Sequence, residues 1–230
     1  MLLASRDTSY LVAAAYNKCL AKYFLSALKQ NMVQYTRKKS TIDDQTVLRP
    51  LANRTMTTLR EATMDDLLKF NNINLDVLTE TYNMGFYFYY MSKWPESFTV
   101  AEGPSDTLMA YILGKAEGEA KSWHGHVSAV TVAPSYRRLG LAKTLMDNFE
   151  HLCINTYHGY FVDLFVRKSN HLAVKMYEKF NYSKYRRVIG YYSGESAEDA
   201  FDLRKALPRD IHKESTIPLD RDVEPHELEW

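Results

Sequence analysis

The chain has almost no cysteine: two in 230 residues, Cys19 and Cys153. Residues so far apart exclude both a disulfide framework and a cysteine-based zinc knuckle, and they fit a reducing compartment. Cys153 falls at an apolar position of a predicted helix, where a free thiol behaves as a small hydrophobe rather than as a nucleophile. No apolar run is long enough to span a bilayer, so a membrane-embedded enzyme is excluded and a soluble, cytoplasmic protein is expected. An excess of charge is missing too. With 29 Lys and Arg against 28 Asp and Glu the net charge is +1, which argues against a general nucleic-acid binder. Neither an internal repeat nor a low-complexity segment is found. What remains is a chain with 46% hydrophobic residues, enough for one sizeable core.

Charge balance fails locally in one place. Residues 1–42 carry Arg6, Lys18, Lys22, Lys29, Arg37, Lys38 and Lys39 against a single acid, Asp7, with helix-compatible apolar spacing around Tyr10 and Tyr16. Such a segment is either a targeting leader or an accessory extension, and Met56 could itself be a natural start. The reading is therefore an N-terminal extension over 1–55, one folded domain over 56–207 and an extended tail over 208–230, marked by Pro208, Pro218 and Pro225.

The most informative stretch is Val130-Thr131-Val132-Ala133-Pro134-Ser135-Tyr136-Arg137-Arg138-Leu139-Gly140-Leu141-Ala142. A β-branched run suits a strand, Pro134 cannot continue its ladder, and the residues from Leu141 open a helix. Unpaired N–H groups and the positive end of the macrodipole favour an anion there. Gly140 permits close approach and Arg137 and Arg138 add charge. The spacing Arg137-x-x-Gly140-x-Ala142 resembles the acetyl-CoA signature of the Gcn5-related N-acetyltransferases (GNAT), in which such a loop wraps the coenzyme pyrophosphate.

The predicted elements follow in the order this family requires. A short strand at 58–62 precedes a helix from a Thr63/Asp66 capping box to about residue 71, a loop over 71–76 and a helix over 84–93. Strands follow at 98–102, 108–117 and 124–132, then helix 139–155, strand 160–166, helix 170–180 and strand 182–192. The fold class implied is α/β (α+β), the GNAT acyl-CoA N-acyltransferase fold: a mixed central sheet, splayed to admit acetyl-CoA, flanked by helices. Residues 70–76, 78–82, 94–96, 161–167 and 204–207, with Trp123-His124-Gly125-His126-Val127, closely resemble the catalytic subunits of N-terminal acetyltransferase B (NatB).

That resemblance implies a protein N-terminal α-amino acetyltransferase acting on chains beginning Met-Asp, Met-Glu, Met-Asn or Met-Gln. Acetyl-CoA is the co-substrate, and attack is direct. It also implies a large helical-repeat auxiliary subunit that brings the enzyme to ribosomes and nascent chains. Within the fold, a lysine or small-amine acetyltransferase and a non-catalytic coenzyme-binding scaffold subunit are the alternatives. Coenzyme contacts are carried over to Val130, Val132, Arg137, Arg138, Gly140, Leu141, Ala142, Asn170 and Tyr177. Peptide contacts are carried over to Glu80, Tyr82, His126, Phe165, Tyr191 and Tyr192.

Chemistry agrees with this set. An α-amine titrates at about 7.7 to 8.0, so near neutral pH only a mild base, acting through water, is needed. Glu80 either fills that role, orients the amine, or is simply a solvated loop acid. Tyr177 either packs on the sheet or donates to the departing thiolate, and Asn170 caps its helix. His124 and His126 share one strand face. With no third ligand in a supporting pattern, no metal is expected. In the family, the imidazole at His126 meets the second residue of the substrate. Gly190 stands where relatives favour Glu, which removes a carboxylate role there. The aromatic run 86–94 reads equally as core and as part of a partner contact.

Overall fold

The computed structural model describes residues 57–76, 79–194 and 197–228; the basic leader and Met56 lie outside them. Seven strands, β1 (Thr58–Glu61), β2 (Phe98–Gly103), β3 (Thr107–Glu117), β4 (His124–Val132), β5 (Phe161–Arg167), β6 (Ser183–Tyr192) and β7 (Glu198–Ala206), form one sheet in the order β1-β2-β3-β4-β5-β7-β6. Among the described residues four α-helices accompany it: α1 (Asn71–Asn74), α2 (Met84–Lys93), α3 (Leu141–Leu152) and α4 (His171–Lys179). Every strand pair is antiparallel except β4 with β5. A parallel pair needs a crossover, and α3 with the π turn Cys153–Tyr157 supplies it.

Period-2 alternation feeds two cores. On one face, Leu145, Met146 and Phe149 of α3 pack with Ile112, Val162 and Leu203. On the other, Ile73, Tyr87 and Tyr90 pack with Phe98, Tyr111 and Leu113. Adjacent Tyr111 and Ile112 thus serve opposite faces, as a pleated strand dictates. Cys153, fully buried in the first core, is the small hydrophobe expected of it, and burial pushes its thiol pKa up.

Three elements differ from the sequence expectation. The first predicted helix is a 3-10 turn, Met64–Leu68, followed by α1 where a loop was expected. Its Thr63/Asp66 capping box does form, but Asp66 also receives Arg60 of β1 at 2.6 and 2.8 Å, which ties the turn to the sheet. Strand β7 was not foreseen, yet it lies between β5 and β6. Thirdly, the tail 208–228 runs back along β6. Val223 donates its N–H to the Arg187 carbonyl at 3.0 Å and accepts from the Ile189 N–H at 2.9 Å. Val223 and Leu228 are buried with Val188 and Ala200.

The site is positioned by a break in the sheet. Strands β4 and β5 pair only over His124–Val127 and Phe161–Leu164. Across β3, Leu113 faces Ala129 and Gly114 faces Val127, so Ser128 is one residue too many and forms a β-bulge. Beyond it β4 and β5 part. Tyr82 donates its hydroxyl to the Ser128 carbonyl at 3.1 Å, and the Tyr90 and Ser128 hydroxyls are 2.7 Å apart. Helix α2 is therefore core on the face carrying Tyr87 and Tyr90, while Tyr89 on its other side is half exposed.

Docking of the tail predicts that Val223→Ala removes about 1.5–2.5 kcal/mol of stability by loss of buried methyl groups. Urea denaturation of the full chain measures it; an unchanged midpoint would mean that the tail contributes nothing to the fold.

Candidate active site

A cleft of about 220 Å³ opens where β4 and β5 part. It brings together nine of the residues carried over by resemblance: Glu80, Tyr82, His126, Val130, Phe165, Asn170, Tyr177, Tyr191 and Tyr192. Val132, Arg137, Arg138, Gly140, Leu141 and Ala142 do not line it; they continue from its β4 wall into the loop before α3.

That loop is built for an anion. Arg138 and Gly140 both adopt left-handed φ, 66° and 84°. A non-glycine residue is strained there, and a Cβ on Gly140 would project into open space, so the backbone at this turn is bare. The first helical bond of α3 is from Thr144 N–H to Gly140 O, 3.1 Å. The N–H groups of Leu141, Ala142 and Lys143 therefore have no acceptor four residues back within the helix. Arg137 is held by an ion pair with Asp76 and by its Nε bond to the Val132 carbonyl at 3.3 Å, which fixes its guanidinium beside the turn. Bare turn, free N–H groups and two arginines fit a coenzyme pyrophosphate, and the parted strands fit an extended pantetheine arm.

Deeper in the cleft, Asn170 caps α4 by accepting from Ala173 N–H at 3.1 Å. Two turns along from Asn170, Tyr177 is 7% exposed and its hydroxyl bonds to no described side chain. Since no buried polar side-chain atom among the described residues lacks a partner, that hydroxyl reaches the open cleft. Burial pushes its pKa up, so it holds its proton at neutral pH.

The opposite end is closed by tyrosines. Tyr191 stacks on Phe165 with centroids 4.6 Å apart, and the Tyr192 hydroxyl donates to the Phe165 carbonyl at 3.4 Å. Burial raises the pKa of Tyr82, Tyr191 and Tyr192 and keeps these phenols neutral donors. Gly190, near this end of β6, has φ 62°, a left-handed position that suits glycine.

Sequence reasoning missed Arg167, which lies 3.4 Å from both Glu80 carboxylate oxygens and 4.0 Å from the Tyr192 ring centroid. It links the loop before α2, which carries Glu80, to the C-terminal end of β6. No local pattern marks it, because Glu80 is 87 residues away in sequence. Asp163 was missed as well. It accepts from His126 Nδ1 at 2.8 Å and lies 3.4 Å from His124 Nε2, while His124 Nδ1 donates to the Ser122 carbonyl at 2.6 Å. Strand register adds Glu117, 3.9 Å from both rings, the third potential ligand beside the two histidines that spacing alone did not supply. This group is organised around protons: both inward-facing imidazole nitrogens point at Asp163, and Glu117 is ion-paired with Lys115.

The charges compensate one another. Burial works against the His124 cation, but Asp163, the Ser122 carbonyl and Glu117 outweigh it and raise its pKa. Burial likewise opposes the Asp163 anion, and the two histidines hold its pKa well below the usual carboxylate range. Stability from His124 is complete below about pH 6.5 and is lost as pH rises through its raised folded value. That from Asp163 is complete above about pH 3.9 and is lost as pH falls. Urea unfolding should therefore be hardest in the mildly acidic window and easier on the alkaline side of His124. In His124→Gln the alkaline loss should shrink, and an identical pH slope in that variant would contradict the assignment.

Comparison with known proteins agrees with this geometry. The chain matches the acetyltransferase (GNAT) family over residues 64–182. It is 61% identical over 170 residues to N-alpha-acetyltransferase 20 of Dictyostelium discoideum, covering 74% of this chain and 97% of that protein. To the N-terminal acetyltransferase B complex catalytic subunit of Arabidopsis thaliana it is 57% identical over 175 residues, 76% of this chain and 99% of that protein. Among solved structures it is similar to Chaetomium thermophilum Naa20 in complex with a bisubstrate analogue, at TM-score 0.69 and 39% identity over 74% of this chain and 97% of that one. A NatB complex bound to CoA and MES gives TM-score 0.61 and 42% identity over 66% and 99%. Sheet order, parted strands, anion-binding loop and these likenesses agree, and the chain belongs to the GNAT acetyltransferase family, in its branch of NatB catalytic subunits.

Proposed function

We propose that this enzyme acetylates the α-amino group of protein N-termini that begin Met-Asp, Met-Glu, Met-Asn or Met-Gln. The observation that carries the reading is the single cleft joining Tyr177, at its coenzyme end, to His126, Glu80 and the tyrosines at its other end. Acetyl-CoA supplies a thioester carbonyl open to attack. The loop 137–142 binds the pyrophosphate, and Val130 and Val132 border the arm. Asn170 and Tyr177 face it from α4.

At the peptide end, the Glu80 carboxylate receives the α-ammonium group, which releases its proton to water before attack, as an amine titrating at about 7.7 to 8.0 does readily. The new N–C bond forms as the C–S bond breaks; the attacking nitrogen gives its surplus proton to water, and Tyr177 donates its retained proton to the departing sulfur and is reprotonated from solvent. Tyr82, Tyr191 and Tyr192 hold the peptide backbone through their neutral hydroxyls, with Phe165 beneath. His126 meets the second side chain. Asp, Glu, Asn and Gln all offer an oxygen on a short stem, whereas an apolar residue leaves the imidazole unpaired.

The protein works in the cytoplasm with a large helical-repeat auxiliary subunit, through which it reaches ribosomes and nascent chains. It makes no direct nucleic-acid or membrane contact. Among the described residues no helix is long and apolar enough to cross a membrane. Exposed Leu68, Leu75, Met84 and Tyr89 on the segment from the 3-10 turn through α2 support a docking face there.

Two measurements test the reading. Lysine-free peptides beginning Met-Asp, Met-Leu and Ser-Glu should differ, with Met-Asp preferred about tenfold or more in kcat/KM, the ratio expected when a buried polar group goes unpaired. Equal rates would remove the specificity assigned to His126. Tyr177→Phe should lower kcat about 100-fold with acetyl-CoA affinity kept. Unchanged kcat would remove its acid role.

A further inference from the structure

The Nδ1 of His126 is occupied by Asp163 at 2.8 Å, and Asp163 is 4% exposed. An ionised carboxylate only accepts hydrogen bonds, so Nδ1 must carry a hydrogen whichever form the ring takes. The other ring nitrogen, Nε2, makes no hydrogen bond to a described side chain. Because no buried polar side-chain atom among the described residues lacks a partner, Nε2 reaches the cleft that His126 lines. Phe165, 5.5 Å from the ring centroid to centroid, fills one side of the imidazole. One tautomer and one outward nitrogen are thereby fixed.

We propose that Asp163 is a positioning residue for substrate choice: by holding Nδ1–H it makes Nε2 the atom that meets the substrate's second side chain, an acceptor when the ring is neutral and a donor when it is protonated. The inference rests on the placement of His126 beside that side chain in the proposed function. A neutral ring accepts from the amide N–H of Asn or Gln. A protonated ring donates to the carboxylate of Asp or Glu, and equally to an amide oxygen. Amide substrates are therefore served by both forms, and carboxylate substrates by one.

Other charged and titratable groups around the ring are accounted for. From β3 come Glu117, 3.9 Å from Nδ1, and Lys115, ion-paired with it. From β4 comes His124, which shares Asp163. Behind Asp163 on β7 stand Arg204, its register partner, and Asp202, which Arg204 and Arg186 of β6 bind at 3.1 and 2.9 Å. Tyr191 of β6 and Tyr82, preceding α2, are kept neutral by burial. Among the described residues only Asp163 makes a hydrogen bond to the His126 ring.

The test uses the full chain with its auxiliary subunit, acetyl-CoA, and two peptides that differ only as Met-Asp and Met-Asn. Values of kcat and KM are measured at one pH for the wild-type enzyme, Asp163→Asn and Asp163→Glu. Asp163→Asn keeps an acceptor for Nδ1 and removes the charge, so the Met-Asp to Met-Asn ratio of kcat/KM should drop about tenfold, with a smaller loss for Met-Asn. The change should be carried by KM. Asp163→Glu keeps the charge on a longer stem and should give an intermediate ratio.

An equal loss on both peptides in Asp163→Asn while acetyl-CoA affinity is kept overturns the proposal. If that variant does not bind acetyl-CoA it is misfolded, and Asp163→Glu decides: a lowered ratio with acetyl-CoA affinity kept supports the positioning role, and an unchanged ratio overturns it. His126→Ala separates the two levels. If it leaves the wild-type ratio intact, the placement of His126 itself is wrong and the role of Asp163 falls with it.

Discussion

One surplus residue in β4 governs this molecule. Ser128 has no partner across β3, and from that point β4 and β5 no longer pair, although they run side by side as the one parallel pair of the sheet. A sheet that parts leaves backbone N–H and C=O groups on both inner edges available to an extended ligand. The bulge does not depend on its own strand for support. Hydroxyls of Tyr82 and Tyr90 grip Ser128 from the α2 face, and Tyr87 and Phe98 pack around them. Helix α2 thus holds open the space that Asn170, Ala173, Met176 and Tyr177 of α4 and its cap line from the other side.

The two ends of the opening carry different electrostatics, each from a local cause. At the loop end, positive φ at Arg138 and Gly140 turns the backbone so that α3 presents its N-terminus beside two arginines. At the other end the surroundings are neutral phenols in front of a buried array in which Asp163 and Asp202 are matched by His124, His126, Arg186 and Arg204. Breaking one member of such an array leaves its partners uncompensated, and so the strands β4, β5, β6 and β7 are fixed to one another there.

Much of this was readable before any coordinates. Val130 to Ala142 announced strand, turn and helix because β-branched residues, Pro134, Gly140 and helix formers each act locally. Helix α2 and strands β2 to β4 emerged from apolar periodicity within a residue or so of their bounds. Strand β7 escaped because its pattern is interrupted by charge: Asp199 and Asp202 fall within it, and Asp202 is fully buried only by virtue of Arg186 and Arg204. The tail looked unattached because Val223 and Leu228 are two apolar residues among prolines and charges. Of the candidate residues, the motif-bound ones are found in one cleft or its adjoining loop. Arg167, Asp163 and the Ser128 bulge are products of register and of contacts 37 to 87 residues apart, which no local pattern encodes.

The central claim is that acetyl donor and peptide N-terminus meet between β4 and β5 at Tyr177. A structure of the full chain bound to a Met-Asp peptide joined through its α-amine to coenzyme A tests it most directly. The account predicts the pyrophosphate on the N–H groups of 138–142, the arm between Val130 and Asn170, the junction beside the Tyr177 hydroxyl and the Asp side chain at His126 Nε2. A ligand bound outside the parted strands, or with its junction away from Tyr177, would contradict it.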